Sequence, residues 1–319
     1  MSVSETDSIH KVHYALSIVI PVYNGAATIG RLVDELAKLS VEGGHEVILV
    51  NDGSRDESAA VCEDIVEKHS LPITFVNLAR NFGEHNAVMA GLHHARGEYV
   101  ITMDDDMQNP PSEVVKLFNY ARTSGRDVVY TFFQNKEHDS FRNFGSWLTN
   151  RAADLLLDKP KGFYLSSFRC MNAFVVEQIC QYAGPFSYID GLILQITQNI
   201  DTIEVIHLPR RIGRSNYTLR KLIHLWLNMF VNFSIMPLHI STILGIALSV
   251  MGILGAVEIT IEYLIWGIPR GFGTIVCTIL IFSGVQLFIL GLIGEYIGRL
   301  HLTSNKKPQF IVRTVIKNK

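Results

Sequence analysis

The sequence predicts an α/β protein, a doubly wound and mostly parallel sheet, followed by an interfacial helix and two transmembrane helices. Three observations carry that prediction. Short apolar runs alternate with segments of helical periodicity through the first two thirds of the chain, as in successive β-loop-α units. Polar, turn-forming residues follow those runs, at the strand ends where open α/β sheets bind ligands. Uncharged stretches long enough to cross a bilayer occur only after residue 236.

Leu16 to Val22 is a continuous apolar run suited to a strand buried on both faces, and Tyr23-Asn24-Gly25 breaks it. Ala26 to Leu39 then carries Ile29, Leu32, Val33 and Leu36 at helical spacing. Val47 to Val50 is a second strand, ending in Asn51-Asp-Gly-Ser-Arg-Asp56, with a helix from Glu57 to His69. A third strand, Ile73 to Leu78, leads through Arg80-Asn-Phe-Gly-Glu84 into a helix whose N-terminal amides could hold an anion. Tyr99 to Met103 is the fourth strand and Val128 to Phe132 the fifth. Ser140 to Leu157 reads as a helix bearing Arg142 and Arg151. Beyond it the signals weaken: Cys170 to Tyr182 and Ile189 to Asn199 suit helices, Ile203 to Leu208 a short strand, and Arg210 to Tyr217 a basic turn.

The fourth strand ends in Asp104-Asp105-Asp106. If strand geometry persists into the triplet, Asp104 and Asp106 project to one side and Asp105 to the other. Mg2+ takes oxygen ligands and usually keeps one or two protein carboxylates, with substrate phosphates and water completing its shell. The spacing therefore suits a metal-bridged diphosphate. The same residues also suit a solvated turn, since Asn109-Pro110-Pro111 is a loop signal; the position beyond a strand's carboxyl end favours the ligand.

Composition narrows the partners. The 319 residues are 48% hydrophobic and 18% charged, enough for one such domain and a membrane part. A net charge of -2 offers no basic surface, so nucleic acid is not expected. Cys62, Cys170, Cys180 and Cys277 lack metal-ligand spacing and fit a reduced, cytoplasmic compartment. Met1 to His13 has two acidic residues and no apolar core, which reads as a flexible lead-in through residue 14 and not a signal peptide.

From residue 221 to 236, His224, Asn228 and Asn232 recur every four residues among Trp226, Leu227, Phe230 and Phe233, the pattern of an interfacial helix; a core helix is the alternative. Ile240 to Val257 and Phe272 to Gly294 contain no charge, and each can cover roughly 30 Å of hydrocarbon. They form the expected two-helix hairpin of residues 237–298. Basic residues gather before the first stretch and after the second, at Arg299, Lys306 and Lys307, which places both termini and the domain at 15–220 on the cytoplasmic side. The tail at 299–319 holds a β-branched run, Phe310 to Ile316, that can add as a strand to its own or a neighbouring subunit.

Five motifs in this order carry a family resemblance: Ser17-Ile-Val-Ile-Pro-Val-Tyr-Asn24, Asn51-Asp-Gly-Ser54, Arg80-Asn-Phe-Gly83, Met103-Asp-Asp-Asp-Met-Gln-Asn-Pro110, and Arg210 with Gly213, Ser215 and Tyr217. With Gly294-Glu-Tyr-Ile-Gly-Arg299 after the apolar stretches, the chain resembles the family-2 glycosyltransferases of GT-A fold. Within them it resembles the polyprenyl-phosphate branch that includes dolichyl-phosphate mannose synthase and bacterial undecaprenyl-phosphate sugar transferases. The resemblance implies inverting sugar transfer from a nucleotide-diphosphate sugar to a polyprenyl phosphate at the bacterial inner membrane, with Mg2+ or Mn2+ as cofactor. It implies that Pro21, Tyr23, Asp52 and Arg80 line the nucleotide site, that Asp104 and Asp106 with Gln108 hold the metal-diphosphate unit, and that Arg210 and Ser215 close over it. Relatives are often tetramers, so a homo-oligomer is expected.

The chain departs from the family pattern at Gly25, where an acidic residue is common, at Phe133 and Asn216, where Arg and Lys are frequent, and at Ser167, where many relatives carry an Asp proposed as base. The lipid phosphate is accordingly expected on Lys136, Arg142 and Arg169. Two rival classes are a processive polysaccharide synthase, which normally needs more membrane helices and a Q-x-x-R-W-type motif not found here, and a non-catalytic nucleotide-binding scaffold. A dinucleotide oxidoreductase is a weaker rival still, since no G-x-G-x-x-G follows the first strand.

Overall fold

The computed structural model describes residues 14–133, 165–184, 187–208, scattered positions from 243 to 265, 272–305 and 308–318. The chain divides into two compact units, Met1–Thr218 with Lys307–Lys319, and Leu219–Lys306.

The first unit is built on one eight-stranded sheet. Its elements are β1 (Tyr14–Val22), α1 (Ile29–Leu36), β2 (His45–Asn51), α2 (Ser58–Lys68), β3 (Ile73–Leu78), α3 (Glu84–Leu92), β4 (Gly97–Thr102), α4 (Pro111–Ser124), β5 (Val128–Phe132), β6 (Arg169–Asn172), α5 (Ala173–Cys180), α6 (Ile189–Ile196), β7 (Ile200–Glu204) and, from the C-terminus, β8 (Val312–Lys317). In space the order is β7-β5-β6-β4-β1-β2-β3-β8. Strand alternation sends Leu16, Ile18 and Ile20 of β1, with Val47 and Leu49 of β2, to a core shared with α1, α2 and α4. Val19, Ile48 and Val50 go to the opposite core, shared with α3, α5 and α6. Both faces are covered, as the continuous apolar runs required. Each wholly buried Leu, Ile or Val contributes about 1.5–3 kcal/mol.

The pairings β1–β2, β1–β4, β2–β3 and β5–β7 are parallel. The pairings of β6 with β4 and β5, and of β8 with β3, are antiparallel. The insertion of β6 corrects the helix expected from Cys170. Arg169–Asn172 is extended, and the helix begins only at Ala173, where the Asn172 side chain accepts a hydrogen bond from the Val175 amide at 3.0 Å. The last short strand also shifts, from the expected Ile203–Leu208 to Ile200–Glu204.

The tail strand joins its own sheet. Val312–Lys317 pairs along the edge strand β3, and Asn318 fastens the end: its Oδ1 accepts from the Ile73 amide at 2.9 Å while its Nδ2 donates to the His69 and Leu71 carbonyls. Covering an edge in this way removes a row of unpaired backbone groups.

At the amino ends of the strands, remote from the ligand edge, Glu46 is 1% exposed and accepts from Ser17 Oγ, the Arg96 amide and the Arg96 guanidinium. Glu46→Ala takes the acceptor away from all three donors. We expect it to lower unfolding free energy by about 2 kcal/mol, read from urea denaturation, because donors in a buried setting lose their acceptor and the part-buried Arg96 charge loses its partner. An unchanged midpoint would show that Arg96 simply turns out to water.

In the second unit the described positions between 243 and 265 are helical, and α7 (Phe272–Ser304) runs for 33 residues. No helix among the described residues is long and apolar enough to cross a membrane. By length alone α7 exceeds the roughly 20 residues that a span needs, and the uncharged stretch Phe272 to Gly294 falls inside it. The spanning expectation therefore rests on the sequence. The expected interfacial helix at 221–236 lies outside the described residues.

Candidate active site

Because β1 to β4 are mutually parallel, their carboxyl ends open at one edge, and the loops after Val22, Asn51, Leu78 and Thr102 meet there. The first two loops are tied together. The Asn24 amide donates to Ser54 Oγ at 3.0 Å, the Arg55 amide to Asn24 Oδ1 at 2.9 Å, and the Gly25 amide to Ser58 Oγ at 2.9 Å. Tyr23 is exposed on this edge and Pro21 half-buried beneath it.

Asp52 holds the third loop. Its two carboxylate oxygens accept from the Phe82 and Gly83 amides, at 2.7 and 2.9 Å, just ahead of α3. Burial raises its carboxyl above the ordinary range, and those amides oppose the rise. Gly53, at φ 59°, permits the approach, since a Cβ there would overlap the Arg80 and Asn81 backbone. Asp52 was expected to line the nucleotide pocket; here its carboxylate is a clamp for the Arg80-Asn-Phe-Gly loop. Arg80 is exposed at the end of β3, its guanidinium over the Phe82 ring at 4.7 Å.

The acidic loop departs from the expected alternation because β4 ends at Thr102, before the triplet. Ser167 Oγ donates to Asp104 Oδ2 at 2.9 Å. Asp105 turns to the first loop, where a Cβ on Gly25 would overlap its carboxylate. Gly25 is thus matched to Asp105 by close packing. Asp106 Oδ1 accepts from the Gln108 amide at 3.0 Å, an Asx-type turn around Met107, which has φ 60°.

Gln108 anchors the end of the acidic loop. The Leu208 amide donates to its carbonyl at 2.8 Å, and its Nε2 donates to the Leu208 carbonyl at 3.3 Å. That pairing carries the chain leading toward Arg210 alongside the acidic loop. His207, not singled out from the sequence, stacks on Phe133 with ring centroids 4.2 Å apart. Burial lowers its pKa, while the neighbouring Asp106 charge opposes that shift.

Arg169, expected at the lipid phosphate, is 2% exposed and paired with Asp190, whose Oδ1 also accepts from Tyr130 Oη at 2.9 Å. Its guanidinium is committed inside the domain. Lys136, Arg142, Arg210 and Ser215 lie outside the described residues. The sequence also passed over Glu84, at the start of α3. The residue is exposed at the helix start, yet the protein packed around its carboxyl, and then the Asp104 charge, push it up to about 7.

That elevation has a testable sign. Glu84 binds its proton more tightly folded than unfolded, so its contribution to stability falls as pH rises from about 4.5 to about 7. Glu84→Gln should lack that decline. Carbon-13 titration of the Glu84 carboxyl should give a midpoint above the ordinary one that drops in Asp104→Asn, and a midpoint near 4.5 in the parent would refute the assignment.

Comparison with known proteins now bears on this edge of the sheet. Residues 17–180, slightly more than half of the chain, match the model of glycosyl transferase family 2. The chain belongs to that family. This glycosyltransferase is 32% identical over 312 residues, 95% of its length and 91% of the relative's, to the undecaprenyl-phosphate 4-deoxy-4-formamido-L-arabinose transferase of Pseudomonas savastanoi pv. phaseolicola. It is 31% identical over 319 residues to the protein of the same description from Enterobacter sp., covering 98% and 96% of the two chains. Among solved structures, glucosyl-3-phosphoglycerate synthase from Mycobacterium tuberculosis, crystallised with Mn2+, UDP and phosphoglyceric acid, superposes with a TM-score of 0.51 at 18% identity. That match covers 69% of this chain and 78% of the other. At that identity the likeness shows the fold, and the fold of the glycosyltransferase is GT-A.

Proposed function

We propose that this glycosyltransferase moves a sugar from a nucleotide diphosphate to undecaprenyl phosphate, with inversion, at the cytoplasmic face of a bacterial inner membrane. The observation that carries the reading is the nearly end-to-end alignment with relatives described as undecaprenyl-phosphate 4-deoxy-4-formamido-L-arabinose transferases, which extends through the apolar C-terminal region. That description also supplies the first sugar to test.

The residues fit a divalent cation of the Mg2+ or Mn2+ kind. Asp104 and Asp106 stand two apart in one loop at the ligand edge, and such an ion needs only one or two protein carboxylates when a diphosphate supplies the rest. Among the described residues no cluster of three or more His, Cys, Asp or Glu side chains is placed to hold a metal unaided. Asp104 and Asp106 would hold it, and a bound ion would neutralise charge on the departing nucleotide diphosphate.

The acceptor needs little activation. A phosphate monoester has its second pKa near 6 and is mostly dianionic at neutral pH, so a serine in place of a base at 167 is compatible with turnover. A base typically contributes about a hundredfold or somewhat more, whereas orientation can remove about 7 kcal/mol or more from the barrier. The protein's task is therefore to hold the two substrates in line. Tyr23, Pro21 and Arg80 border the nucleotide edge; Arg210 and Ser215 would cover the diphosphate, approached through the Leu208–Gln108 pairing. With Arg169 engaged by Asp190, Lys136 and Arg142 would clamp the lipid phosphate.

The second unit suits a lipid setting, because α7 exposes Ile275, Ile279, Leu287, Phe288 and Leu290, more apolar surface than a water-facing helix carries. We read Ile240 to Val257 and Phe272 to Gly294 as spans, and the protein as a homo-oligomer. The test is to give purified full-length protein undecaprenyl phosphate and a panel of nucleotide sugars, UDP-linked 4-deoxy-4-formamido-L-arabinose among them, and to identify the lipid by mass spectrometry. A glycosylated polyprenyl monophosphate is expected. Transfer only to a soluble acceptor would overturn the reading.

A further inference from the structure

The pairing of β4 with β6 sets Thr102 opposite Arg169. Beyond that last pair the ladder ends, and the loop after β4 meets the segment that leads into β6. There Ser167 Oγ donates to Asp104 Oδ2 at 2.9 Å.

The backbone presenting Ser167 is pinned from both flanking strands. Thr102 Oγ1 donates to the Ser167 carbonyl at 2.6 Å, and Thr131 Oγ1 donates to the Phe168 carbonyl at 2.7 Å. Ser166 Oγ accepts from the Phe168 amide at 3.2 Å and donates to Thr131 Oγ1 at 3.1 Å. Thr102, Thr131, Ser166 and Phe168 are all buried, which excludes water as a competing partner. An ionised carboxylate can only accept, and a serine hydroxyl can donate; the pair is chemically matched and charge-assisted.

We propose that Ser167 is a positioning residue for sugar transfer, fixing the Asp104 carboxylate through one oxygen in the orientation that receives the diphosphate end of the nucleotide sugar. The proposal rests on the nucleotide-sugar reading above and adds to it the residue that sets Asp104. In this chain a second anion at 167 would face Asp104 and repel it, where the hydroxyl donates to it.

The test uses full-length parent, Ser167→Ala, Ser167→Thr, Ser167→Asp and Asp104→Ala, with UDP and MnCl2 as the probe in isothermal titration. Ser167→Ala should weaken binding about tenfold, as loss of one hydrogen bond to a charged group implies. Ser167→Thr, which keeps the hydroxyl, should stay within about threefold of the parent. The melting midpoint of the ligand-free Ser167→Ala protein should hold, since the backbone anchors remain. Parental affinity in Ser167→Ala or Ser167→Asp, alongside lost affinity in Asp104→Ala, would overturn the role of Ser167 alone. A crystal structure of Ser167→Ala with Asp104 unmoved would do the same. Parental affinity in Asp104→Ala would instead overturn the nucleotide-site reading on which the proposal stands.

Discussion

Asp106→Asn is expected to fold normally and to lose sugar transfer by about a thousandfold, the equivalent of several kcal/mol of transition-state stabilisation. The folding half of that expectation comes from the loop. Asp106 Oδ1 accepts from the Gln108 amide at 3.0 Å, and an asparagine carbonyl can accept the same bond. The turn that places Met107 at φ 60° and ties Gln108 to Leu208 should therefore persist. What disappears is one negative charge beside Asp104. If that charge serves a cation that neutralises the departing diphosphate, raising Mn2+ should recover part of the lost rate, while the melting midpoint without ligand stays at the parental value. A variant with undiminished turnover across Mg2+ and Mn2+ concentrations would remove Asp106 from the mechanism.

The acidic loop also shows where sequence reasoning reaches its limit. The position of the triplet was legible, because an apolar run long enough for a strand ended there and parallel strands bring such ends together. The directions of its three side chains were not, because the strand stops at Thr102 and alternation has no meaning in a turn. Gly25 and Asp105, whose packing binds two loops, are 80 positions apart, and only the assembled sheet places them in contact. Asp52 and the Phe82 and Gly83 amides are a similar case: a carboxylate after a strand reads the same whether it meets a ligand or a backbone. The strands themselves were readable from residues buried on both faces. The exceptions are β6, four residues that run directly into a helix and are too few for periodicity to divide from it, and β7, which starts three residues before the expected strand. The tail's strand character was readable too, but its choice of β3 as partner was not, since pairing across more than 230 residues leaves no local trace.

Asp190→Asn should lower unfolding free energy by about 3–5 kcal/mol, the range for removing one partner from a buried ion pair, and should lower the melting midpoint by roughly 10 °C. Arg169 and Asp190 are 2% and 7% exposed, so the guanidinium left behind cannot turn to water. Burial alone would weaken its charge; the Asp190 carboxylate outweighs that and holds the Arg169 pKa above its ordinary value. Arg169→Met should cost less, since Asp190 keeps the Tyr130 hydroxyl donor at 2.9 Å. A double variant, Arg169→Met with Asp190→Leu, should recover much of the loss, because a well-packed apolar pair avoids desolvating two charges. Transfer activity separates this structural role from the one the sequence suggested. A lipid-phosphate ligand at 169 would raise the KM for undecaprenyl phosphate while leaving stability and nucleotide binding intact. A buried strut should affect both, since Arg169 opens β6 two residues after Ser167, and displacing that strand disturbs the partner of Asp104. Coincident losses of midpoint and UDP affinity in Asp190→Asn, a residue never expected to touch the lipid, would assign the pair to the scaffold of the site. An Asp190→Asn protein with the parental midpoint would return Arg169 to the acceptor.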